Sequence, residues 1–323
     1  MERNYALDIL KAIAMVCVVG LHSLYSYIIS GSTSLADVLY DACGVSIPLF
    51  FMVSGYLLLP REQVTYAYCA RKVWGIVRFV AIVCIGWWLV FSLKNGFHIQ
   101  KLVDDFLGAF VQKGAFSVFW YLGAMVICYV LLPILNNLFI RRPKIFYFLL
   151  AILAIVCSFM FCNTIAGSRW EMLIPATFRL WYILFYFCIG GALTRIRSLQ
   201  TNSWSVILLL FAAIVFKELT DKWFGSEYVS SYYSSLPFMM LCVAIFSSIA
   251  WRTVTKVRLA RQLSQLFLPV YTFHGLIILF APSVPASMGA IAPLLNWIWV
   301  VSLSVVLSVF VMKLPMADKI FRI

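Results

Sequence analysis

The feature that most constrains this chain is a succession of about ten apolar runs, most of them close to the length a helix needs to cross a bilayer. They fall at Leu7–Ile29, Asp41–Leu59, Val73–Leu93, Ser117–Ile140, Ile145–Cys162, Phe178–Leu193, Trp204–Phe216, Ser235–Trp251, Leu263–Ala281 and Leu294–Met312. Backbone polar groups in lipid must be satisfied within the segment, so each run is predicted to be a helix. The expected fold is an all-α, polytopic membrane helix bundle. Composition agrees: 64% of residues are hydrophobic and 11% charged, against roughly 45–50% and about 25% in a soluble domain. The 323 residues are expected to form one membrane domain, 1–323, with no room for a sizeable soluble one. The N-terminal run outlasts a signal-peptide core and lacks a small-residue cleavage site, so it reads as a retained span.

The net charge of +13 would suggest nucleic acid in a soluble protein. Here its distribution points to membrane topology, and no nucleic-acid partner is expected. With the N-terminus inside, one set of connections carries Arg61, Arg71, Lys72, Arg141, Arg142, Lys144, Arg195, Arg197, Arg252, Lys256, Arg258 and Arg261, joined by Arg3, Lys313, Lys319 and Arg322. The opposite set carries fewer cations (Lys94, Lys101, Lys113, Arg169, Lys217, Lys222) and most of the acids, among them Asp104, Asp105, Glu171, Glu218, Asp221 and Glu227. The Lys/Arg bias places both termini in the cytoplasm.

Eight of the nine cysteines lie in apolar runs, Cys69 lies in a short polar connection, and none forms a CxxC pair, so no metal site is expected. No internal repeat is evident. The connection Lys94–Phe116 spaces Leu102, Val103, Phe106, Leu107 and Phe110 as an amphipathic surface helix would, although a plain loop fits as well.

Ionisable residues inside spans are costly and mark candidate sites. The first span holds Asp8, Lys11 and His22. Lys11 and His22 are eleven positions apart, which returns them to one helix face about 16 Å apart along the axis. Asp8 precedes Lys11 by three positions and can pair with it. Alone, Lys11 could snorkel to the interface and His22 could bridge two helices. Together they predict a polar groove running from the cytoplasmic edge past the bilayer midpoint. In the ninth run, Tyr271 and His274 share a face and approach mid-bilayer.

The Lys11-x10-His22 spacing in LDILKAIAMVCVVGLHS resembles the first helix of the membrane acyltransferase 3 family, of the O-antigen acetylase type. GVSIPLFFMVSGYLLLP (Gly44–Pro60) is similar to that family's Phe-Phe-x-x-Ser-Gly-Tyr segment. ARKVWGIVR (Ala70–Arg78) occupies the place of its Arg-x-x-Arg pattern, with Trp74 where the second arginine would stand. FWYLGAMVICYVLLP (Phe119–Pro133) resembles its Trp-(Tyr/Phe)-Leu helix, and LSQLFLPVYTFHGLI (Leu263–Ile277) its late Ser-x-x-x-Tyr-x-x-His helix.

The resemblance implies an acyl-CoA-dependent O-acyltransferase of a bacterial inner membrane. Acetyl-CoA would be the first donor to consider and an extracytoplasmic saccharide or cell-surface glycan the acceptor. His22 would be the general base, since an imidazole suits proton abstraction near neutral pH, with Asp8 beside Lys11 in the catalytic stripe. Lys11, Arg71, Lys72 and Arg78 would meet the CoA phosphates. Asp104, Asp105, Trp120, Tyr121, Tyr271 and His274 would contact the acceptor. Membrane lipid is the surrounding partner, and a homo-oligomer or glycan-synthesis partners stay open. A saccharide exporter or a non-catalytic module of a polysaccharide machine remains the alternative, although an exporter would be expected to show repeats.

Overall fold

In the computed structural model residues 4–29, 34–168, 170–196, 202–224, 232–252 and 257–321 are described. Arg3, Arg169, Arg197, Glu227, Lys256 and Arg322 lie outside them. The described residues form helices and connections, with no strand among them. The helices are α1 (Tyr5–Ile29), α2 (Ser34–Cys43), α3 (Ser46–Leu58), α4 (Tyr66–Asn95), α5 (Ile99–Phe110), α6 (Trp120–Arg141), α7 (Pro143–Ile165), α8 (Trp170–Leu173), α9 (Leu180–Ala192), α10 (Ser203–Phe224), α11 (Leu236–Ala250), α12 (Arg258–Gln265), α13 (Phe267–Phe280), α14 (Ala292–Val311) and α15 (Ala317–Phe321).

Among the described residues seven stretches are long and apolar enough to cross a bilayer, and α12 with α13, bent by 66° at their junction, make an eighth if they form one span. This is a multi-pass membrane protein. The ten expected runs all coincide with helices, but the full count of ten spans is not reached on length. The sixth and eighth correspond to the shorter α9 and α11, of 13 and 15 residues. At 1.5 Å per residue, 13 residues cover about 20 Å, short of a hydrocarbon core of about 30 Å. Such a helix persists at membrane depth only inside protein. No side chain of α9 is exposed, and the last carbonyls near its end are not left bare: Trp251 Nε1 donates to Leu193 O.

Local signals set the other boundaries. Asn4 caps α1, accepting from Ala6 N at 3.0 Å, while its amide donates to Ala250 O. Thr65 caps α4 by accepting from Tyr68 N, so α4 begins at Tyr66 and not at Val73. Arg71, Lys72 and Cys69 therefore ride on a helix instead of in a polar loop, and Cys69 is buried. Hydropathy alone misses such a polar first turn. In the same way α10 runs on to Phe224, past the expected Phe216, so Lys217 and Lys222 are helical. Lys217 is buried in an ion pair with Asp41 at 3.2 Å. The open choice for the outer connection resolves into helix α5, whose buried face is Asp105, Gly108 and Ala109.

The bundle centre is formed by α1, α3, α6 and α9, while α7 and α10 bury the smallest shares of their spans and form the rim. The tightest crossing is between α3 and α9. A Cβ on Gly55 would lie 1.8 Å from Phe187 O, and one on Gly190 would lie 2.1 Å from Met52 O. Two backbones meet here because neither helix presents a side chain, the small-residue packing usual in membranes. Asn136 of α6 donates to both Leu59 O and Arg61 O at 2.8 Å, satisfying the end of α3.

Candidate active site

α1 carries the stripe Lys11, Met15, Val18, His22 on one face. His22 is half-buried and lines a cavity of about 20 Å³ with Val18, Ile47, Phe50, Val118, Trp120, Tyr121 and Tyr271. Behind it, fully buried, stands His274 of α13, with ring centroids 5.0 Å apart. His274 stacks in turn on Tyr271 at 5.9 Å, and Tyr271 on Phe119 at 5.6 Å. The site is thus an imidazole at the end of an aromatic ladder drawn from three distant parts of the chain.

Each wall has a local cause. Tyr271 donates its hydroxyl to Val118 O, which ties the ninth run to the short 3-10 turn Ser117–Phe119 that leads into α6. Tyr121 packs against Phe50 and Phe51 of α3. On the other flank, Asn296 of α14 donates to Ser23 O and accepts from Val284 N, and Trp297 Nε1 donates to Val16 O at 2.9 Å. These two residues grip α1 on either side of His22. The sequence reading missed them, although a buried asparagine within an apolar run was a signal of its own.

The structure gathers His22, Trp120, Tyr121, Tyr271 and His274 into one cluster. It does not bring the carboxylates of α5 to that cavity. Asp104 is exposed and accepts from Gln100. Asp105 is buried, paired with Lys101 at 2.6 Å and accepting from Ala115 N. Its link to the site is through the turn it closes, just before Val118 and Trp120. Asp8 is likewise remote from the imidazole: fourteen residues of continuous helix place it about 21 Å along the axis from His22, too far to exchange a proton directly. It is buried and accepts from Ser264 Oγ of α12 at 2.9 Å, which fastens the start of α1 to α12. Arg71 is exposed and Lys72 half-buried. Exposed Arg78 donates to Lys319 O at 3.3 Å, holding the C-terminal helix.

Ser264→Ala removes one hydrogen bond to a buried carboxylate. It is expected to lower stability by about 1.5–3 kcal/mol and, because Ser264 is remote from the cavity, to leave the chemistry at His22 intact. Thermal unfolding of the detergent-solubilised protein measures the first. An unchanged midpoint would mean the bond carries no weight.

The His22 cavity ends at Val18; Lys11 is not among its lining residues, and Met15, between them on the stripe, is fully buried. The expected groove joining Lys11 to His22 is therefore not open along this cavity. Its volume is roughly that needed for one water. Among the described residues no group of three or more His, Cys, Asp or Glu is arranged to hold a metal.

Fold and site together define a multi-pass membrane protein with a histidine-centred, aromatic-walled pocket between its first, second, fourth and ninth apolar runs. The family described as an acyltransferase domain matches residues 4–313, nearly the whole chain. The chain belongs to this membrane acyltransferase 3 family. An amino-acid racemase of Enterococcus faecalis is 23% identical over 340 residues, covering 97% of this chain and 46% of the racemase. The chain thus spans less than half the length of that curated relative. No solved structure matched the chain.

Proposed function

We propose that this acyltransferase moves an acyl group, acetyl first among the donors, from acyl-CoA on the cytoplasmic side of a bacterial inner membrane to a hydroxyl of an extracytoplasmic saccharide, with His22 as general base. The observation that carries this reading is the placement of His22: half-buried, lining a cavity, and walled by Trp120, Tyr121 and Tyr271 in a chain of acyltransferase ancestry. Basic residues at one set of helix ends, including Arg71, Lys72, Arg141, Arg142 and Arg258, support a cytoplasmic N-terminus.

In the proposed step the imidazole takes the acceptor's hydroxyl proton as the oxygen attacks the thioester carbonyl. The tetrahedral intermediate collapses, the carbon–sulfur bond breaks, and the imidazolium returns the proton to the departing thiolate. The products are the O-acyl ester and free CoA, and His22 is neutral again. Trp120, Tyr121 and Tyr271 offer faces for a sugar ring, and Lys11, Arg71 and Lys72 offer charge for CoA phosphates. An acyl group is larger than one water, so the Val118–Trp120 wall and the α1 stripe must part before the thioester enters.

Purified protein in lipid nanodiscs, given acetyl-CoA and longer acyl-CoAs with a panel of acceptors, tests the reading through free thiol release and the mass of the acylated product. Amino acids belong in the panel beside saccharides, because the enterococcal relative is named as an amino-acid enzyme. Lys11→Ala is expected to raise KM for acyl-CoA about tenfold, equivalent to ~1.4 kcal/mol, with kcat little changed. Saccharide translocation without acyl-CoA consumption would sink the transferase reading in favour of an exporter.

A further inference from the structure

His274 has no exposed surface, and its Nε2 is buried without a hydrogen-bond partner. Its Nδ1 lies 3.2 Å from Val270 O, one helical turn back. A carbonyl oxygen only accepts, so Nδ1 must carry the proton, and Nε2 is left as a bare lone pair. Buried polar atoms in native structures nearly always find a partner. Tyr271, whose ring stacks on His274 at 5.9 Å, gives its hydroxyl to Val118 O. The imidazole of His22, with its centroid 5.0 Å away and its plane tilted by 41°, is the neighbouring ring that can supply an N–H.

We propose that His274 fixes the tautomer of His22: a ring N–H of His22 donates to His274 Nε2, which leaves the other His22 nitrogen unprotonated and turned to the cavity. The hydrogen bond forms when the His22 ring turns about its Cβ–Cγ bond, a torsion with a broad well. The role rests on reading His22 as the general base. Which nitrogen of a histidine is free is decided by what the other one bonds. During transfer the N–H of His22 that faces His274 stays in place. The free nitrogen takes the hydroxyl proton, and the resulting imidazolium keeps an acceptor at its back until it returns that proton to the CoA thiolate. His274 does not line the cavity, so it is a positioning residue.

The chain has three histidines, so 15N-histidine labelling in nanodiscs yields a spectrum simple enough to assign by single substitution. The expected wild-type result is a His274 ring protonated at Nδ1 and a His22 ring in one tautomer. In His274→Phe, which keeps a buried ring but no acceptor, His22 is expected to become a tautomer mixture. Thiol release from acetyl-CoA should then fall about 100-fold in kcat, with KM for acetyl-CoA unchanged. His274→Gln restores an acceptor near the Nε2 position and is expected to recover activity to within about threefold of wild type. A His274 ring protonated at Nε2, or a His22 tautomer indifferent to His274→Phe, overturns the proposal whatever the activity. If His22→Ala is inactive and His274→Phe is fully active, the positioning role falls and the base assignment stands. If His22→Ala transfers normally, the assignment of the base itself falls.

Discussion

Replacing His22 with alanine is expected to lower acyl transfer about 10³-fold while the protein still folds and still binds acyl-CoA. A positioned general base contributes roughly 10²–10⁴ in rate, and no other titratable side chain lines the described cavity except Tyr121 and Tyr271. The Tyr271 hydroxyl is engaged by Val118 O, and a tyrosine phenol keeps its proton near neutral pH. Neither is poised to replace the imidazole. The measurement is thiol release in nanodiscs, with binding of the same acyl-CoA followed separately. A rate within a fewfold of wild type would exclude His22 as the base. Loss of binding together with rate would assign it to donor recognition instead.

The largest structural effect is expected at the α3–α9 crossing. Gly55→Ala and Gly190→Ala each place a methyl group against a backbone carbonyl, at 1.8 and 2.1 Å. A flexible side chain could yield, but a helix backbone cannot move alone, so the two helices must separate along their length. Overpacking commonly costs 1–3 kcal/mol, and this contact lies beyond any tolerated distance; about 3 kcal/mol or more is expected for each. Gly86→Ala is the matched control. It is also a glycine within a helix, yet its Cβ would meet nothing within 4 Å, and it is expected to stabilise by roughly 0.5–1 kcal/mol. Melting curves followed by size-exclusion chromatography separate the two cases. If Gly190→Ala melts with the wild type, the close approach of these helices does not exist in the protein. Because α3 carries Ile47 and Phe50 into the cavity wall, a partly folded Gly55 variant should also lose transfer activity.

Much of the fold was legible because lipid leaves a backbone few choices. An apolar run without water must be helical, so each expected run coincides with a helix. The ends were less legible, since capping and polar first turns leave hydropathy unchanged. Thr65 moved the start of α4 back by more than a turn, and α10 carried Lys217 into an ion pair with Asp41 instead of leaving it in a loop. The site was legible where side-chain chemistry is unusual for its surroundings. His22, Tyr271 and His274 stood out as polar groups inside apolar runs, and they meet. Asp104 and Asp105 looked equally available in sequence. Their hydrogen bonds depend on where α5 and the Lys113–Ala115 turn come to rest, which local pattern does not encode.

The sequence by itself determined that this chain is a membrane helix bundle, that its long apolar runs are helical, and that one face of its first helix bears a lysine and a histidine. These follow from residue type and helical periodicity, both local properties. Only the tertiary structure decided that His274 stands behind His22, that Asp8 serves a junction with Ser264 about 21 Å along the helix from the imidazole, and that the cavity closes at Val18. Those outcomes depend on how α1, α3, α6 and α13 pack. Packing is fixed by shape and by pairing between residues up to 281 positions apart, which no local reading supplies.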